Sequence, residues 1–216
     1  MIIVDTPATR GPLVSAACFA LAALAMVMLD WAMLPTNRSL TREGGAIEVM
    51  SMLGYVYAAV VYLRLAQPVF WPVPALLLFM AGREADADKR FTSEGILSTK
   101  ILLRDTPLWE KLLAVGVWVL IVASLILLIR HRGPALLRAL RHGAPWALAF
   151  AAGLFLAAFS KAIDGLGRKL LTFGIEVAQG VEHNAGLLEE LLELLIPLLF
   201  LIAIGLKADE REVGPD

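Results

Sequence analysis

Runs of about twenty mainly apolar residues recur along this chain, and no other feature constrains its fold as much. A helix needs about 20 such residues to cross the hydrocarbon of a bilayer. Inside that layer every backbone N–H and C=O must be paired within the segment itself. Six runs fit or approach the template: 13–34, 46–65, 69–86, 108–129, 145–164 and 187–206. Composition agrees, with 59% hydrophobic residues, 18% charged residues and a mean hydropathy of +0.74. A soluble domain carries about 25% charged residues. The expected architecture is all-α: a polytopic integral membrane protein forming one transmembrane domain over 1–216, with about six transmembrane helices and one or two interfacial helices. The run after Arg10 exceeds the h-region of a signal peptide, about 7–15 residues, and is read as a retained first span.

Several exclusions follow. The formal net charge of −1 gives no basic field for nucleic acid. Cys18 is the one cysteine, so there is no internal disulfide and no Cys/His zinc pattern. Pro68, Pro72 and Pro74 suit a helix start better than an interior, and Pro197 predicts a kink in the last span. Two stretches, 92–104 (TSEGILSTKILLR) and 166–183, mix apolar and charged residues. They read either as short helices in the interface or as loops and extensions of neighbouring spans.

Orientation comes from RHRGPALLRALRHG after the fourth run, which has Arg130, Arg132, Arg138 and Arg141 and no acid. An acid-free basic connection predicts the cytoplasmic side, which puts both termini of a six-span chain in the cytoplasm, in a plasma (inner) membrane. Basic residues elsewhere are interleaved with acids, as in GREADADKR at 82–90.

Alternating direction then carries acids from five spans to the outer face: Asp30; Glu48; Glu84 and Asp88; Asp164; and Glu189, Glu190 and Glu193. Ionisable groups inside spans are costly and are usually paired or functional, whereas groups at span ends snorkel. Glu189 and Lys161 therefore read as rim residues. Helical spacing pairs Glu84 with Asp88 and Asp164 with Arg168, each at i,i+4. Clustered carboxylates persist when cations or basic side chains neutralise them, and Arg83, Arg90, Arg168 and Lys169 are at hand. The candidate ligand-binding set is Glu48, Arg83, Glu84, Asp88, Arg90, Asp164, Arg168, Glu190 and Glu193. Glu84, Asp88 and Glu190 are the candidate ligands of a metal.

Carboxylates without His or Cys clusters suit a hard divalent cation. An EF-hand over 84–95 fails, because its sixth position is Lys89 and its twelfth Gly95. His131 and His142 lie in the basic connection, which leaves only His183 near the acids, and no Gly-x-Ser-x-Gly occurs. Arginines matching phosphate geometry make a lipid headgroup another candidate ligand. A paired-carboxylate acid/base mechanism is chemically allowed.

The stretch REGGAIEVMSMLGYVYAAVVYLRL (42–65), a third span ending in an acid/Arg cluster and a late Glu-Glu-x-x-Glu (189–193) resemble a group of uncharacterised bacterial multi-pass membrane proteins. In that group the third span ends in Glu-Glu-Ile-Ser-Trp-Gly-Gln-Arg or similar. Arg83-Glu84 stands where the group has Glu-Glu, and Arg90 where it ends in Arg. Ala-Asp-Ala-Asp-Lys replaces the Ser-Trp-Gly-Gln core. The resemblance implies the architecture and no activity.

The leading functional expectation is a polar outer-face site binding a cation or a polar headgroup. The alternatives are a membrane-embedded enzyme acting on a lipid or lipid-linked substrate, and a structural or accessory subunit. The expected partners are the bilayer, a lipid headgroup or a second membrane protein.

Overall fold

Small residues at helical spacing decide which helices touch. In a bilayer no hydrophobic force drives one apolar helix onto another, so close backbone approach through small residues holds a bundle together. In the computed structural model, which describes residues 7–34, 42 and 44–212, 81% of the described residues are helical and none is in a strand. Among the described residues five helices are long and apolar enough to cross a membrane, lying within α1 (Pro7–Met33), α2 (Ala46–Leu65), α6 (Leu108–Arg141), α7 (Pro145–Ile163) and α9 (Gln179–Glu212). The core joins Ala16 of α1, Tyr55, Ala58 and Ala59 of α2, Leu77 and Ala81 of α3 (Pro72–Glu84), and Ile196 and Leu201 of α9. On the other flank α7 packs along α9, with Gly153 lying under the Phe200 ring. α6 stands at the edge against α3.

Three expected spans are redrawn. The run 69–86 yields only the 13-residue α3, about 20 Å long against a hydrocarbon core of about 30 Å. It begins at Pro72, where a missing N–H costs nothing. It stops at Glu84 because Asp86 takes φ 48°, which no α-helix continues through. The short α4 (Ala87–Phe91) follows. α3 nevertheless joins the two polar ends of the bundle. Phe70 before it lies under the Arg132 guanidinium at 5.1 Å, and Arg83 at its end reaches the α9 acids.

The basic connection after 129 is not a loop. α6 continues through Gly133-Pro134 to Arg141. Proline removes the N–H that would bond to the Arg130 carbonyl, but Arg130 and Pro134 are both exposed, which leaves that carbonyl open to solvent. The last run is likewise longer than expected, since α9 starts at Gln179 and passes Pro197 unbroken.

Pro197 leaves the Glu193 carbonyl without its i+4 donor, and α2 supplies one: Ser51 Oγ donates to Glu193 O at 3.0 Å. Ser51→Ala is therefore expected to lower stability by about 1–2 kcal/mol, the cost of orphaning a buried carbonyl. Thermal unfolding in micelles checks this; a loss under about 0.5 kcal/mol would mean that the carbonyl finds another donor.

Of the two mixed stretches, 92–104 forms only α5 (Lys100–Leu103) among turns. It is clipped to α6 by Ser93 N and Oγ donating to Glu110 Oε2 at 3.2 and 2.7 Å, and by Trp118 Nε1 donating to Ile96 O at 2.9 Å. The stretch 166–183 opens as α8 (Leu166–Leu171) and ends inside α9.

Candidate functional site

One carboxylate ties three helices. Glu193 Oε1, on α9, accepts from Arg83 Nη2 at 2.8 Å and from Ser160 Oγ at 3.3 Å, and lies 3.4 Å from Lys161 Nζ. Arg83 comes from the end of α3, and Ser160 and Lys161 from the end of α7. Lys161 also donates to Asp164 Oδ2 at 3.1 Å and to Glu189 Oε1 at 3.4 Å. The side chain of Glu193 is 13% exposed, that of Arg83 31% and that of Lys161 45%. The network thus runs from a nearly dry centre to a wet rim.

Beside the hub, two polar atoms are buried without a hydrogen bond. Glu84 is 5% exposed at its side chain, and its Oε1 lies 3.7 Å from Arg83 Nη1, an ion-pair distance too long for a hydrogen bond. Tyr55, fully buried in α2, has no partner for its hydroxyl. It interacts electrostatically with Glu84, Arg83 and Glu193. Buried polar groups are hydrogen-bonded in the great majority of cases, so an unmet acceptor and an unmet hydroxyl in one charged cluster stand out. Glu190 is half-buried and feels Glu193, Glu189 and Glu48. Glu48 accepts the Gly44 N–H at 2.7 Å near the start of α2.

The expected pairings change where helices break. α7 ends at Ile163 and Gly165 turns at φ 58°, so Asp164 pairs with Lys161 and not with Arg168. Burial alone would raise the Asp164 carboxyl. The Lys161 hydrogen bond and the charges of Lys161, Lys169 and Arg168 outweigh it and hold the group below its ordinary value. Lys169 Nζ donates to the carbonyls of Lys161 and Ala162 at 2.7 and 3.4 Å, satisfying the open end of α7. Asp86 separates Glu84 and Asp88 onto different helices, so they share no helix face. The Asp88 side chain lies outside the described residues. Among those described, no three His, Cys, Asp or Glu side chains are gathered as a metal ion would require. Arg90 and Arg168 are exposed. Asp30 forms its own ion pair with Arg42 and accepts the Ala46 N–H at 3.4 Å, bracing the start of α2.

Sequence reasoning placed Lys161 at the rim and passed over Ser51, Tyr55 and Ser160. The signal for two of them is present: Ser51 and Tyr55 are i,i+4 on α2, one and two turns beyond Glu48, on the face that carries the acid inward. No protein family, curated protein or solved structure matches the chain.

Proposed function

We propose that this is a six-crossing protein of a plasma (inner) membrane, with α3 as a short sixth crossing, both termini cytoplasmic, and a polar site at the outer face that binds the headgroup of a lipid. The acid-free basic end of α6 supports the orientation. The observation that carries the binding site is the pair of buried, unpartnered atoms, Glu84 Oε1 and Tyr55 Oη, beside the Arg83–Glu193 ion pair. They ask for a ligand that donates to a carboxylate and meets a hydroxyl. Five carboxylates (Glu84, Asp164, Glu189, Glu190 and Glu193) surround Arg83 and Lys161, so the favoured donor carries positive charge. An ammonium headgroup supplies it; a bare divalent cation is less well served, since no three described acids converge on one point.

The test is a lipid and metal inventory of the purified protein, by native mass spectrometry and elemental analysis, beside Glu84→Gln and Tyr55→Phe. A lipid retained near one per chain by the wild type and lost in Glu84→Gln is the expected result. Loss of a stoichiometric divalent ion instead would move the assignment to a cation site. A specific observation favours a second reading, a structural clamp: Glu193 already gathers Arg83, Lys161 and Ser160. The sign of the stability change separates the two. Without a ligand, Glu84→Gln removes an under-partnered buried charge and leaves stability level or higher. If the wild type retains nothing and Glu84→Gln unfolds more easily, the clamp stands and the binding reading falls.

A further inference from the structure

The geometry points to a second binding surface, for anionic phospholipid headgroups, on the last turns of α6 at the opposite end of the bundle, independent of the Glu84 site. α6 has 34 residues, about 51 Å at 1.5 Å per residue, against a hydrocarbon core of about 30 Å. Its last third therefore emerges from the bilayer still helical. That third carries Arg130, Arg132, Arg138 and Arg141, all exposed. No Asp or Glu occurs between Glu110 and Asp164. Among the described residues none of these four arginines forms an ion pair. At the end of α9, Glu210 is taken up by Lys207.

The charges are arranged as well as numerous. At 3.6 residues per turn, Arg130, Arg138 and Arg141 fall within an arc of about 80°. Leu137, 58% exposed, borders that arc and offers it an apolar contact at the acyl boundary. The remaining arginine holds the face in place. Arg132 sits over the Phe70 ring at 5.1 Å, and His131 packs edge-on against the same ring at 6.1 Å. The emerging helix is thereby rooted on the α2–α3 connection.

Charge complementarity and position select the occupant. A basic arc leaving an apolar span begins at headgroup level, within the Debye length of about 8 Å at physiological salt. Guanidinium forks match a phosphodiester in bidentate geometry. Attraction to an anionic leaflet is worth roughly a factor of five per arginine near the surface. Three arginines acting together give on the order of 100-fold.

The experiment uses the full chain in detergent, exposed to an equal mixture of phosphatidylglycerol and phosphatidylcholine and read by native mass spectrometry. Wild type is compared with Arg130→Gln/Arg138→Gln/Arg141→Gln. Wild type is expected to retain phosphatidylglycerol at least about tenfold over phosphatidylcholine at low salt, and the triple variant to lose that preference while its unfolding midpoint in phosphatidylcholine alone stays unchanged. Should the midpoint fall, the single Arg138→Gln decides: roughly a fivefold loss supports the surface and no loss overturns it. A phosphatidylglycerol preference in the triple variant as strong as in the wild type, no preference in the wild type, or complete displacement of the lipid by inorganic phosphate overturns the assignment.

Discussion

Glu193→Gln is expected to destabilise the folded protein by about 3 kcal/mol, the scale set by removing one partner of a buried ion pair. The substitution keeps volume and backbone and deletes only the charge. Arg83 then faces a neutral amide oxygen in place of the carboxylate, with the nearest remaining negative charge on Glu84 at 3.7 Å, and Lys161 retains Asp164 and Glu189 nearer the rim. Simple interhelical hydrogen bonds in membranes average about 0.6 kcal/mol, so any weakening of the Ser160 contact explains little of the effect. The uncompensated Arg83 dominates, moderated by its 31% exposure, which lets water reach it. The check is a double-mutant cycle with Arg83→Met, followed by thermal unfolding. Removing both charges should restore much of what either single change loses. Additive losses, or a single-mutant loss below about 1 kcal/mol, would show that the pair is a surface contact with no hold on the bundle.

How much of this was legible in the chain depends on which rule each feature obeys. The five helices among the described residues that are long and apolar enough to cross a membrane follow from the length and hydropathy of the apolar runs, which depend on no neighbour. The meeting of acids from α2, α3, α9 and the turn after α7 at one end follows from alternating direction, and it survives errors of several residues at each boundary. Pairings did not survive them, because i,i+4 logic holds only along an unbroken helix. The turns at Asp86 (φ 48°) and Gly165 (φ 58°) cut the two runs in which Glu84–Asp88 and Asp164–Arg168 had been matched. Aspartate visits the left-handed region at modest cost, and nothing in ADAD marks which residue will do so. The basic stretch after residue 129 differed in the other direction: expected as a connection between spans, it is helical through Gly133-Pro134 to Arg141, with Arg130 and Pro134 both exposed. Ser51 and Tyr55 share the helix face of Glu48 and could be found by that spacing, but their partners could not, because what α9 presents opposite them is encoded by no local pattern in α2.

Replacing Gly54 by leucine is expected to disrupt the α2–α9 seam strongly. A Cβ on Gly54 would stand 2.9 Å from both Cβ and Cγ of Pro197 and 3.1 Å from Phe19 Cζ. The two proline atoms belong to a ring fixed to the α9 backbone, so no rotamer change can move them aside. Only the Phe19 ring has freedom to yield. Gly54→Ala should therefore cost about 1–3 kcal/mol, the usual range for overpacking, because α2 must back away from α9. Leucine adds three more carbons to the same seam and should exceed that range. The seam also aligns Ser51 with the Glu193 carbonyl at 3.0 Å, so widening it should break that hydrogen bond and shift α9 relative to Arg83. Gly116 in α6 is the control, since nothing lies within 4 Å of a Cβ built there. Gly116→Leu should be neutral or slightly stabilising through better helix propensity, by up to about 1 kcal/mol. Both variants are measured by unfolding midpoint and by monodispersity in detergent. If Gly54→Leu behaves like Gly116→Leu, α2 and α9 do not pack through Gly54, and the contacts that bring Glu193 to Arg83 must be held by other residues.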